Sequence, residues 1–324
     1  MVSLKSLIST LAMLCLATMA HAQVVGIATL SQGSSFYAVG TAISGVMQQK
    51  ADLTTRVQPM SGSSVYIPIL NRSEVEFAIA SSLDVANAYL GLENFTGHKN
   101  PEIRLVGVAF VVPIGIAVLN DSPIKSIKDL KGMRMPSQFT AQASMRLQQN
   151  AMLSTAGLST DDMKQYPVAN YIKGMEALGE DKVDAAMICI GCAKALEVNV
   201  TLASHGGLRL LPMPDTPEAI AAMHKIFPSA YLQVFQPSSA VPGVVGPTRV
   251  MVYSGFLLSN SKVPDDVVYK ATKAIYENKP MLEASTQYLK TFEPRAMSEA
   301  SVVPYHPGAE KFYKEVGMWP PKKR

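Results

Sequence analysis

The sequence predicts an α/β protein built as two lobes, and three observations carry that prediction. Short β-branched and apolar runs alternate with stretches whose apolar residues recur at three- and four-residue spacing. The alternation begins near residue 24, restarts near residue 133, and a late strand over 250–258 returns towards the first set. Of the 324 residues, 48% are hydrophobic and 17% charged, a balance that supports packed cores and excludes a mainly disordered chain. The 29 basic and 25 acidic residues are scattered and leave a net charge of +4. Without a basic stripe there is no electrostatic footprint for nucleic acid.

The elements follow in order. Residues 24–29 read as a strand, 30–35 as a polar turn containing Gly33, and the stretch to Lys50 as a helix with Phe36, Val39, Ile43, Val46 and Met47 on one face. A second strand over 54–59 leads through the turn 61–64 to a short helix over 65–70, interrupted by Pro68. A third strand, 77–80, ends at Ser81-Ser82 before a helix through Val85 and Tyr89. Residues 103–112 and 114–119 are long apolar runs, read as strands crossing between lobes. In the second lobe 126–132 closes a short helix, 133–135 is a strand, and the turn Ser137-Gln138-Phe139-Thr140 opens a long helix to Ala156. A helix over 171–179 precedes a strand over 184–188. Pro and Gly cluster over 237–247, the return strand occupies 250–258, and 263–277 is an amphipathic helix opened by Pro264-Asp265-Asp266. Two α/β lobes joined by two crossings make a clamshell with a ligand cleft between them.

The amino terminus reads as a secretory signal. Lys5 is the only charge in the first 22 residues, an apolar run covers 7–19, and Ala20-His21-Ala22 is a small-x-small cleavage signature. The apolar run is too short to span a bilayer comfortably. The expected mature chain begins at Gln23 and is exported to the periplasm. It retains two cysteines, Cys189 and Cys192, in Cys-Ile-Gly-Cys. In an oxidising compartment this pair is read as a structural disulfide, as free thiols, or as a redox dithiol at a strand end. Two sulfurs alone make a poor zinc site.

Three strand ends carry Ser/Gly-rich turns that open helices: Ser31, Gly33, Ser34 and Ser35; Gly62, Ser63 and Ser64; Ser81 and Ser82. In a parallel sheet such turns gather along one edge, where ligands bind. Unpaired backbone N–H groups at the helix starts then hold a carboxylate or another anion. No enzyme reading is carried. His21, His98, His205, His224 and His306 form no metal pair at helical spacing, and neither a nucleophile elbow nor a phosphate loop is present. No cofactor is expected.

The ordered set of motifs resembles the TAXI-type periplasmic solute receptors of TRAP transporters. The residues that carry the resemblance are Thr29, Gly33 and Ser35-Phe36-Tyr37-Ala38-Val39-Gly40; Gly62-Ser63; the segment Ser126 to Gly132; Gly157-Leu158-Ser159 with Asp161-Asp162; Lys182-Val183-Asp184-Ala185; Pro264 to Tyr269; and His306 to Tyr313. The resemblance implies a type II periplasmic binding protein fold, no catalysis, and delivery of a small organic acid to TRAP permease subunits driven by an ion gradient. With the two-lobe reading, lobe 1 spans 23–115 plus 248–324 and lobe 2 spans 116–247. The chain departs from the family at Tyr66, at Ser137-Gln138-Phe139-Thr140 and at Cys189-Ile190-Gly191-Cys192, where polar groups give way to aromatic and apolar ones. A ligand with an anionic end and an apolar or aromatic body stacked on Phe36, Tyr66 and Phe139 is expected, with Gln138, Thr140, Cys189 and Gly191 beside it. The alternative reading packs these aromatics within the lobes and leaves an ordinary small acid as the ligand. Arg249 and Arg134 are the candidates for a bidentate carboxylate clamp. The alternatives are the receptor of an ATP-driven importer, which shares the fold, and a periplasmic thiol–disulfide protein resting on Cys189 and Cys192.

Overall fold

The computed structural model describes residues 24–322; the expected leader over 1–22 lies outside the described residues. Strands β1 (Val25–Leu30), β2 (Thr55–Met60) and β3 (Phe77–Ser81) run parallel, with β1 in the middle. Each is followed by a helix: α1 (Ser35–Lys50), α2 (Ser63–Asn71) and α3 (Ser82–Leu90). The caps explain where two of these helices begin. The Ser34 hydroxyl accepts from the Tyr37 N–H and the Ser81 hydroxyl from the Asp84 N–H, each satisfying an otherwise unpaired helix-start donor. Helix α3 stops at Gly91, whose φ of 70° few other residues adopt without strain.

Strand β4 (Ile103–Leu119) then runs 17 residues without interruption. After it come β5 (Arg134–Gln138), α4 (Ser144–Ser154), β6 (Lys164–Val168), α5 (Tyr171–Gly179), β7 (Ala185–Cys189) and α6 (Ala193–Thr201). Next are β8 (Leu208–Leu210), α7 (Pro217–Ile226), β9 (Tyr231–Phe235) and β10 (Thr248–Asn260). Helices α8 (Asp265–Glu277), α9 (Lys279–Ser285) and α10 (Pro307–Glu315) close the chain. The main sheet has the order β2-β1-β3-β10-β4-β7, with β8 paired to β4 and β9 to β10; β5 and β6 form a separate parallel pair. β10 lies antiparallel to β4 over 251–260, to β3 over its later residues and to β9 over its earlier ones. The architecture is mixed α/β, a central sheet flanked by helices.

Several element boundaries differ from those the sequence suggests. The two apolar runs around Pro113 are one strand. Proline's φ suits extended backbone, Pro113 pairs with Val252, and its carbonyl accepts from the Ile190 N–H. The segments 250–253 and 256–258 are likewise continuous in β10. Helix α4 starts at Ser144 rather than directly after Thr140, because Gln138 and Phe139 take φ values of 64° and 50° and turn the chain before a helix can form.

Candidate functional site

The parallel arrangement of β1, β2 and β3 brings the turns 31–34 and 61–62 and the Ser81–Ser82 junction to one edge of the sheet. The turns after β5 and β7 and the start of α5 face them. Contact is direct. The Ala143 N–H donates to Ser64 Oγ at 3.2 Å, Asn170 Nδ2 donates to the Ser61 carbonyl at 2.8 Å, and the Lys194 N–H donates to the Gly33 carbonyl at 3.2 Å. Gly62 packs so tightly on the 141–142 backbone that a side chain has no room there.

Between the facing turns lies a small cavity lined by Ser35, Phe36, Gln142, Met145, Tyr171 and Tyr253, with Val112, Ile114 and Cys189 below. Its volume, about 10 Å³, is roughly that of one water molecule. What sets the cavity apart is the polar atoms around it. Ser35 Oγ and Tyr171 OH are buried with no hydrogen-bond partner, although the Ser34 and Ser35 hydroxyls lie near enough to the phenol to partly offset the upward push of burial on its pKa. Gln148 has neither amide atom paired, and it approaches the buried Tyr253 hydroxyl. Buried polar groups without partners are scarce in folded proteins, so their concentration in one place calls for an explanation.

Asp84 lies outside the lining of the cavity but close enough to act on the buried Tyr66 and Tyr253 hydroxyls. It is 2% exposed. The Ser81 hydroxyl donates to its Oδ2 at 2.6 Å, while Oδ1 has no partner. The hydroxyls of Ser63 and Ser144 stand near this carboxylate, and both are themselves unpaired. Burial raises the Asp84 pKa above the usual 3.8, and the hydroxyls of Ser144, Ser81 and Ser63 act against that rise by favouring the anion. Its charge also opposes ionisation of the Tyr66 and Tyr253 phenols, which burial already holds well above their ordinary range.

The residues singled out from the sequence divide into several groups. Ser35, Phe36 and Cys189 line the cavity, and Ser63 joins the group around Asp84. Ser34 and Ser81 cap helices, and Ser31 donates to the Met60 carbonyl. Gly33, Gly62 and Ser64 form the contact with the opposing turns. Ser82 pairs with Ser229 at 3.1 Å. Tyr66 is fully buried among Ile67 and Leu70, and its hydroxyl donates to the Ile79 carbonyl; Phe139 is also packed in the core. Gln138 is exposed at the end of β5, followed by an exposed Thr140. Gly191 accepts a hydrogen bond from Gln287 Nε2. The two arginines lie elsewhere: Arg249 pairs with Asp215 at 2.6 Å, and Arg134, at the opposite end of β5, pairs with Asp184 at 2.7 Å. Both ion pairs occupy the guanidinium groups that a carboxylate clamp would require. The sulfurs of Cys189 and Cys192 are bonded to each other and buried, whereas reactive dithiols are partly exposed.

Sequence reasoning missed Asp84, Gln142, Ser144, Gln148, Tyr171 and Tyr253. The available signal for Asp84 was a lone carboxylate in the otherwise uncharged segment 77–90. A larger hollow, about 470 Å³, lies between the 295–299 segment and residues 317–322, but it contains none of the unpaired buried atoms. Among the described residues no group of three or more His, Cys, Asp or Glu side chains is placed to hold a metal ion, and no helix is long and apolar enough to cross a membrane.

Sheet order, long crossing strands and a polar pocket beneath facing turns define the fold class of periplasmic solute-binding proteins. Residues 27–317 match the NMT1-like family, and the chain belongs to it. Among solved structures it is similar to PhnD1 of Prochlorococcus marinus (MIT 9301) in complex with methylphosphonate, with 12% identity, 91% of this chain and 99% of that one covered, and a TM-score of 0.55. It is also similar to the alkanesulfonate-binding protein SsuA of Xanthomonas axonopodis pv. citri bound to MOPS, with 17% identity, coverage of 92% and 94%, and a TM-score of 0.50. The substrate-binding protein of an amino acid ABC transporter matches with 13% identity, coverage of 83% and 100%, and a TM-score of 0.50. The family match corrects the resemblance drawn from the motifs: the family is NMT1-like rather than TAXI-type.

Proposed function

We propose that the chain is an exported solute receptor that captures a small organic acid and delivers it to the permease of an ATP-driven importer. The carrying observation is the concentration of unpaired buried polar groups where the turns after β1, β2 and β3 meet those after β5 and β7. A solute between the turns would satisfy these groups, with its acidic end at the first turns of α1 and α5, where Ser35 and Tyr171 stand and backbone N–H groups favour negative charge. The fold of binding proteins and membership of the NMT1-like family support the same reading, as do relatives described as ABC-transporter components. No step of bond making or breaking is assigned to these residues.

In this reading the lobes are 23–115 plus 248–324 and 116–247, joined by β4 and β10. The cavity of about 10 Å³ corresponds to closed jaws, so entry requires the facing turns to part. Solute touching both sides then shifts the population towards the closed form, which the permease recognises. A thermal-shift and calorimetric screen of the mature protein against small carboxylic, sulfonic and phosphonic acids tests the proposal. Saturable binding by one class is expected; binding by none, with no solute released on denaturing the purified protein, would overturn it.

A further inference from the structure

We infer that the captured solute carries a protonated primary amine, which Asp84 Oδ1 grips while the acidic end meets the first turn of α1. The inference rests on the receptor reading above and narrows its solute to a zwitterion.

Two roles compete for Asp84. As the third residue of α3 it serves the helix start: Ser81 donates to Oδ2 and accepts from the Asp84 N–H. Helix capping accounts for that oxygen and for the fixed side-chain direction. It does not account for Oδ1, which is buried and unpaired. On an exposed helix start the second oxygen would be hydrated; here the residue is 2% exposed.

An ionised carboxylate in such a place needs a partner charge. The protein supplies none, because no lysine or arginine is buried among the described residues. The groups near Asp84 instead suit an ammonium. Oδ1, Ser63 Oγ and Ser144 Oγ come from α3, α2 and α4; the two hydroxyls lean towards the carboxylate, and all three oxygens keep lone pairs that no donor of the fold takes within normal hydrogen-bond geometry. An ammonium has three N–H donors, and a carboxylate with two hydroxyls offers three acceptors. Because α2 and α3 belong to one side of the contact and α4 to the other, an amine held by all three bridges the two sides.

The test uses the mature protein and matched pairs that differ only in the amine: β-alanine and propionate, 4-aminobutyrate and butyrate, L-glutamate and glutarate. Calorimetry is expected to find at least one amine-bearing solute bound about 30-fold or more tightly than its amine-free partner. Asp84→Asn, checked for folding by circular dichroism, should abolish that preference. An amine-free acid bound as tightly as its partner, or a folded Asp84→Asn protein with unchanged affinity, would overturn the inference and leave the receptor reading standing. Binding by no member of the set also overturns it, and the receptor reading falls with it only if the broader acid screen fails too. If Asp84→Asn does not fold, the wild-type comparison of each pair still decides.

Discussion

A Cβ built on Gly62 would stand 1.8 Å from the carbonyl oxygen of Ala141, far inside any real contact. The φ of Gly62 is 178°, extended backbone open to any residue, so the requirement is for space at the contact between facing turns. Gly62→Ala is therefore expected to fold but to hold the turns apart. Overpacking of this kind costs about 1–3 kcal/mol, which predicts solute affinity lowered roughly 5- to 150-fold. Calorimetry with the solute identified in the acid screen, alongside thermal melts without it, checks this; unchanged affinity would contradict closure over the solute.

Asp84 predicts a trade of stability against binding. Its native pKa lies above the ordinary 3.8, so the folded protein keeps the proton to higher pH than the unfolded chain does. Stability contributed at this position is thus lost as pH rises from about 3.8 through the native value. Asp84→Asn should be more stable than wild type at neutral pH, by on the order of 1–3 kcal/mol, with the advantage vanishing below pH 3.8. Urea unfolding of both proteins across this pH range gives the comparison.

His306 predicts the opposite slope. Its Nε2–H donates to the Val263 carbonyl at 3.0 Å, and Nδ1 accepts from the Gly308 N–H at 3.2 Å, capping α10 as a neutral ring. Burial holds its pKa below the usual 6.5, with Asp265 partly opposing. The unfolded chain takes up the proton first as pH falls, so stability should decline below about pH 6.5. His306→Gln should flatten that limb, at a loss of about 1 kcal/mol at pH 8 for the weakened cap.

The Cys189–Cys192 bond closes a four-residue loop, with a sequence separation of 3. Chain entropy for so short a loop predicts a contribution of about 2 kcal/mol. Replacing both cysteines with serine should lower the unfolding free energy by that amount, read from the denaturant midpoint and its slope, while leaving solute binding within about twofold, since only Cys189 lines the cavity. Loss of all binding on reduction would return attention to thiol chemistry.

The three turns after β1, β2 and β3 were legible because Ser and Gly end apolar runs there, and both chemistry and helix starts use those residues. Asp84 was not, since Ser81-Ser82-Leu83-Asp84 reads as an ordinary helix start, and only its burial distinguishes it. Tyr66 reads in the sequence as an aromatic near a turn and so as a ligand contact, but its helix turns that face into the core beside Ile67 and Leu70. The family error has a physical source. Ser126 and Ser159, each within one of the matching motifs, open single-turn helices, and each donates its own backbone N–H to the carboxylate three residues on, at 2.9 Å. Gly132 and Gly157 take φ values of 76° and 72°. Such caps and turns recur wherever short helices begin and end, so they report the fold and are silent about the transporter.

The crossing strands have a mechanical consequence. β4 and β10 are hydrogen-bonded to each other over 251–260, so they form one two-stranded ribbon rather than two independent tethers. Its register slips between Gly255 and Phe256 and again between Leu257 and Leu258, where a ladder twists most readily. Both slips lie where β10 also pairs with β3, whereas β10 passes from β9 to β3 between Val252 and Gly255. If the proposed jaws part, the ribbon twists over that short passage, and a substitution that stiffens it would slow solute exchange while leaving every contacting side chain in place.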